Sequence, residues 1–154
     1  MLVAGTGGIA HAGFLPMGNY QIMDTATGGA MACLDDTNFS TSAWIRMQLY
    51  GCSGGLNQSW TILPIGVSFD DRYGYWQIKN RYSGNCLDVW FNRKTNGTPA
   101  IQYYCNTSDL AQQFMIENNC NGWFTCRNGL HIQTVQGGAI LSGLCLDVPN
   151  RNPF

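Results

Sequence analysis

The residues whose types and spacing could do chemistry lie close together in the first half of the chain. Asp35 follows Cys33 by two positions, Gln48 and Tyr50 precede Cys52 by four and two, and Asn57 opens the run Asn57-Gln58-Ser59-Trp60. A carboxylate at a strand end can accept hydrogen bonds from two adjacent hydroxyls of a ring. Residues two apart on a strand share a face, so Gln48 and Tyr50 point the same way. The Tyr50 ring can then lie flat beneath the apolar face of a pyranose, with Asn57 offering an amide donor at the rim. The chemistry this describes is recognition, in which no bond is made or broken.

Catalysis finds little support. The nine acidic residues contain no obvious acid/base pair, and no Gly-x-Ser-x-Gly run or phosphate-cradling loop occurs. The two histidines, His11 and His131, lack ligand spacing; His131, in Leu130-His131-Ile132-Gln133-Thr134-Val135, reads as a strand residue and His11 as incidental. The expectation is a protein that is not an enzyme and carries no cofactor or metal.

The elements that must position these groups repeat. Cys33-Leu34-Asp35, Cys52 and Gln58-Ser59-Trp60 are followed by Cys86-Leu87-Asp88, Cys105 and Gln112-Gln113-Phe114, with the same nineteen-residue cysteine spacing and both cysteines shifted by 53. Cys145-Leu146-Asp147-Val148 opens the pattern a third time, at the longer offset of 59. A constant offset marks duplicated units. The first unit holds four short apolar-rich runs, NYQIMDTA, AMACLDD, WIRMQLYGC and NQSWTILPI; the second holds YWQIKNRY, NCLDVW, PAIQYYC and QQFMIEN. Glycine or polar turns separate them, which predicts strands throughout and almost no helix.

The Cys-Leu-Asp strand, second cysteine and Gln-x-Trp close resemble the ricin-type lectin domain, from about Gly18 to the C-terminus. The resemblance implies an all-β, β-trefoil domain over residues 18–154, with repeats at about 18–65, 74–117 and 128–154. It implies a carbohydrate-binding module for saccharides or glycoconjugates, galactose-like or related, standing alone or serving as the glycan-binding part of a larger toxin or glycosidase. The family's aspartate, glutamine, stacking aromatic and asparagine fall on Asp35, Gln48, Tyr50 and Asn57. The second repeat keeps Asp88, but Gln102 stands three rather than four positions before Cys105. Either Tyr103 or Tyr104 is then the stacking ring, and Ala111 replaces the asparagine, so this site is expected to be altered and weaker. In the third, Asp147 stands alone. Cys33–Cys52 and Cys86–Cys105 are expected disulfides, each stabilising by roughly 3 kcal/mol. Cys120–Cys126 is expected as a smaller third, with a zinc site as its rival.

Residues 1–17, MLVAGTGGIAHAGFLPM, read as a flexible lead or the remnant of a signal peptide. Of the third repeat only two strands are expected, which leaves Cys145 without its mate and makes the unit truncated or completed by a partner chain. The apolar segment Gly13 to Met17, folded back, is a further candidate for that open side. A structural subunit that uses a trefoil scaffold to dock another chain is the rival to sugar binding.

At 154 residues and 45% hydrophobic content the chain suits one domain with its own core. With 11% charged residues and a net charge of −1 there is no basic stripe to neutralise phosphates, so nucleic acid is not an expected partner. Seven cysteines in paired spacing point to an oxidising compartment and a secreted protein. Asn38, Asn57, Asn96 and Asn106 match the glycosylation acceptor pattern, as polar turns often do.

Overall fold

The computed structural model describes residues 2–5, 17–24, 31–67, 74–93, 95–117, 131–135 and 145–146. Every element of them is a strand or a short 3-10 turn. The strands are β1 (Leu2–Gly5), β2 (Gly18–Asp24), β3 (Ala32–Asp36), β4 (Ile45–Gly51) and β5 (Trp60–Val67), then β6 (Gly74–Asn80), β7 (Cys86–Val89), β8 (Ala100–Tyr103), β9 (Phe114–Glu117) and β10 (His131–Thr134). The four apolar runs of each complete repeat become β2–β5 and β6–β9. All the pairings are antiparallel.

The topology repeats with the sequence. Within a unit the first strand pairs with the fourth, through Tyr20 with Trp60 and Trp76 with Phe114. The fourth strand then pairs with the first strand of the next unit, placing Ile62 opposite Ile78 and Ile116 opposite Ile132. The middle strands form hairpins, β3–β4 and β7–β8, which join edge to edge through β4 and β8. Each Cys-Leu-Asp run meets its unit's first strand in the same register: Met23 faces Cys33, Lys79 faces Cys86, and Gln133 faces Cys145. This is the β-trefoil arrangement.

The core forms where the repeats converge. Tyr20, Ile22, Leu34, Trp60, Ile62, Trp76, Ile78, Leu87, Phe114, Ile116 and Ile132 make one buried cluster, with Leu146 packed against it. Removing these side chains from water is the main stabilising term for a domain of this size. Trp60 also donates its indole N–H to the Leu34 carbonyl at 2.9 Å, so the closing aromatic of the repeat pins the strand that carries Asp35.

The amino-terminal segment departs from expectation. Residues 2–5, read from sequence as part of a flexible lead, form β1 on the edge of β2, with Val3 opposite Ile22. Ile22 is the equivalent of Ile78 and Ile132, and those two face Ile62 and Ile116 of the preceding units. β1 therefore lies, in register, where the fourth strand of a third repeat would lie on β2. Residues 1 and 6–16 of the lead named above, and the expected pair Cys120–Cys126, fall outside the described residues.

Candidate functional site

In the first repeat Gln48 and Asn57, with Gln58, converge on the Asp35 carboxylate. Asp35, on β3, pairs with Gln48 on β4, and Cys33 with Tyr50. Gln48 Nε2 donates to Asp35 Oδ1 at 2.9 Å, while Asn57 Nδ2 and Gln58 Nε2 donate to Oδ2 at 2.7 and 2.8 Å. Asp35 is 2% exposed and Tyr50 is 59% exposed, so the charge is recessed beside an open ring. Each carboxylate oxygen offers about two acceptor positions. Both on Oδ2 are taken by amides, and one on Oδ1 carries no protein donor.

Gln58 latches the site to its loop. Its Nε2 also donates to the Gly51 carbonyl at 2.9 Å, and its Oε1 accepts from the Ser53 backbone at 2.7 Å. The Cys33–Cys52 disulfide ties the ends of the same hairpin, at a sequence separation of 19. Asn57 differs from its expected place. It is 4% exposed and lies beneath the carboxylate, not at the rim. Its burial also removes it as a glycosylation acceptor. A Cβ at Gly55 would stand 2.5 Å from Asn57 Oδ1, so the glycine is needed for this close approach.

The second repeat keeps the scaffold and changes the lining. Cys86 and Cys105 form the equivalent disulfide. Gln112 repeats the latch: its Nε2 donates to Asp88 Oδ2 at 3.0 Å and to the Tyr104 carbonyl at 2.9 Å, and its Oε1 accepts from the Asn106 backbone. The register places Ile101 opposite Asp88, Gln102 opposite Leu87 and Tyr103 opposite Cys86. Tyr103 is thus the positional match of Tyr50, while Tyr104 projects beside it, their rings 5.2 Å apart.

Gln102, expected in this site, lies elsewhere. Strand alternation turns it toward the interior, where Nε2 donates to the Ser40 and Ser42 carbonyls and Oε1 accepts from Ser83. Its one-residue displacement from the family spacing therefore puts it on the opposite face. With no counterpart to Gln48 or Asn57, Asp88 keeps one amide donor of the three at Asp35. Burial raises its carboxyl to about 6, the Gln112 hydrogen bond opposes that rise, and the charge of Asp109 adds to it.

A further buried carboxylate, Asp36, was not singled out from sequence. Asp36 occupies the position at which Val89 packs against the core in the second repeat. Neither of its oxygens makes a well-formed hydrogen bond. Burial raises its carboxyl to about 6, the adjacent Asp35 charge adds to the rise, and the Ser40 backbone contributes a weak opposing pull. Sequence spacing also missed Trp44 and the pair Trp90-Phe91: the rings of Trp90, Phe91 and Tyr103 gather around Trp44. Their aromatic density was the available signal. Among the described residues no group of three or more His, Cys, Asp or Glu could hold a metal ion, and no helix is long and apolar enough to cross a membrane.

Comparison with known proteins agrees with this fold. No curated protein matches the chain. A designed three-fold symmetric protein, ThreeFoil, is similar at a TM-score of 0.67 and 27% identity, covering 88% of this chain and 82% of its own. The cytolethal distending toxin of Haemophilus ducreyi matches at a TM-score of 0.53 and 17% identity, over 84% of this chain and 73% of its own. That of Actinobacillus actinomycetemcomitans matches at 0.52 and 19%, over 77% and 65%. The toxin matches speak to the fold alone. The family described as ricin-type beta-trefoil lectin domain-like matches residues 14–103 and again 67–153. These two spans take in most of the sequence, and the chain belongs to that family.

Proposed function

We propose that the protein is a secreted, non-catalytic carbohydrate-binding module whose principal site is the first repeat, and that it takes a galactose-like saccharide. The observation that carries this reading is the recessed Asp35 carboxylate, fixed by three amides and left with one open acceptor position, beside the exposed Tyr50 ring. A fixed charged acceptor costs no reorganisation when a hydroxyl arrives, and hydrogen bonds to charged groups contribute about 1.5 to 3 kcal/mol. The aromatic ring adds apolar contact with the C–H face of the sugar. The disulfides of the first two repeats fit an oxidising compartment. Membership of a lectin-like family supports the same class of ligand.

Isothermal titration with galactose and lactose tests the proposal on the wild type and on Tyr50→Ala. Tyr50 is exposed, so its removal should leave the melting temperature unchanged while weakening binding by roughly tenfold, the size of one aromatic contact. Retention of full affinity in Tyr50→Ala, or binding lost only in Asp88→Asn, would place the site elsewhere. A glycan array on which the wild type retains nothing would favour the rival role as a docking subunit.

A further inference from the structure

The second repeat is an apolar counterpart of the first, and the two share a strand. Along β4, Arg46, Gln48 and Tyr50 alternate outward while Met47 and Leu49 pack on the core. Arg46 faces Ile101, which faces Asp88, so the row continues from one repeat's site into the other's. One residue before β4, Trp44 extends the ladder by donating its backbone N–H to the Gln102 carbonyl at 2.8 Å. Its ring lies 4.6 Å from Tyr103 and 5.4 Å from Phe91. Arg46 lies over Trp90, 5.7 Å from the ring centroid.

Two of these rings sit on costly backbone. Trp44 has φ 68° and Phe91 φ 52°, the left-handed region that bulky side chains avoid. Trp44 is 45% exposed and Phe91 64%, so neither recovers that cost by full burial. The matching turn of the first repeat, Thr37–Phe39, takes the same left-handed backbone at Asn38 and Phe39, but holds polar Thr37 and Asn38 where the second repeat holds Trp90 and Phe91. Exposed aromatic faces that stand where the first repeat is polar, continuous with a polar site, point to a ligand that those faces meet.

We propose that the outer face of β4 and the ring cluster at its end form one track for an oligosaccharide. Its terminal unit sits at Asp35, Gln48 and Tyr50, and later units stack on Trp44, Tyr103 and Phe91. This rests on the first-repeat reading above. The six residue steps from Tyr50 to Trp44 span about 20 Å, too long for a single pyranose. Arg46, midway, offers five N–H donors in a fixed fork to ring and linkage oxygens.

The test compares methyl β-galactoside, lactose and linear galactose-terminated N-acetyllactosamine hexasaccharide by titration calorimetry on the full chain. The wild type should bind the hexasaccharide at least about tenfold more tightly than the monosaccharide, one aromatic contact's worth. Trp44→Gly and Phe91→Gly place glycine where φ already suits it, so thermal melts should show both folded. Each should keep the monosaccharide affinity and lose most of the gain with length. Equal affinity at all lengths, or a length gain untouched by both variants, overturns the track while leaving the first-repeat site standing. No binding of any probe overturns the site and the track together. Light scattering that shows self-association abolished by Trp44→Gly would assign the rings to a protein contact and also overturn the proposal.

Discussion

Replacing Asp35 with alanine should destabilise the fold as well as weaken sugar binding, and the structure sets the size of that loss. Three amides donate to the carboxylate. Gln58 retains its bond to the Gly51 carbonyl. Gln48 is half-buried and can turn to water. Asn57 is buried and loses the acceptor of its amide, at about 2 kcal/mol for an unsatisfied donor. With about 1 kcal/mol for the other two, the total is about 3 kcal/mol, which lowers the melting temperature of a chain this size by roughly 10 °C. Asp88→Ala removes one amide acceptor bond, and Gln112 keeps the Tyr104 carbonyl. It also removes a buried carboxyl raised to about 6, so its loss should stay below about 1 kcal/mol. Differential scanning calorimetry of both variants at pH 7 makes the comparison. Equal losses, or an Asp35→Ala protein as stable as wild type, would refute the view of Asp35 as the hub of its repeat.

Two further outcomes follow from the same repeat. Asp36→Val gives the first repeat the residue that the second holds, and should raise stability at pH 7 by about 1 kcal/mol after allowance for partial solvent screening. The Asp36 carboxyl is raised to about 6, so the folded state binds more protons than the unfolded between about pH 4 and 6. Wild-type stability therefore rises as pH falls through that window, and the advantage of Asp36→Val in urea melts should shrink with it; an advantage independent of pH would contradict the assignment. Gly55→Ala pushes a Cβ into Asn57 Oδ1, and should lower stability by about 1 to 2 kcal/mol and weaken lactose binding, as urea melts and titration would show. A neutral Gly55→Ala would mean that Asn57 can move without disturbing Asp35.

Much of this was legible because the repeats write their own register. Equal cysteine spacing predicted both hairpin disulfides of the first two repeats, and Cys145-Leu146 meets β10 as its counterparts meet β2 and β6. That Gln48 and Asn57 share a site with Asp35 was what the family resemblance implied. The depth of Asn57 was not legible, because burial depends on how the 3-10 turn at Leu56–Gln58 packs beneath β3. Gln102 shows the limit of counting residues: a shift of one on a strand reverses the face, and only the pairing of β7 with β8 says which face holds Asp88. The ring cluster escaped because Trp44 belongs to one repeat and Tyr103 to the next. Their meeting depends on the edge contact between β4 and β8, which no pattern within a repeat contains.

The placement of β1 bears on how the domain assembles. Where the fourth strand of a third unit fills this position on the first unit, the search for that contact spans nearly the whole sequence. Here the strand on β2 pairs Leu2 with Met23 and Gly5 with Tyr20, residues close together along the chain. Loop-closure entropy grows with the logarithm of the enclosed length, and folding rates fall as contacts become less local. The seam beside the first repeat thus becomes a local event, able to form before the third unit has ordered.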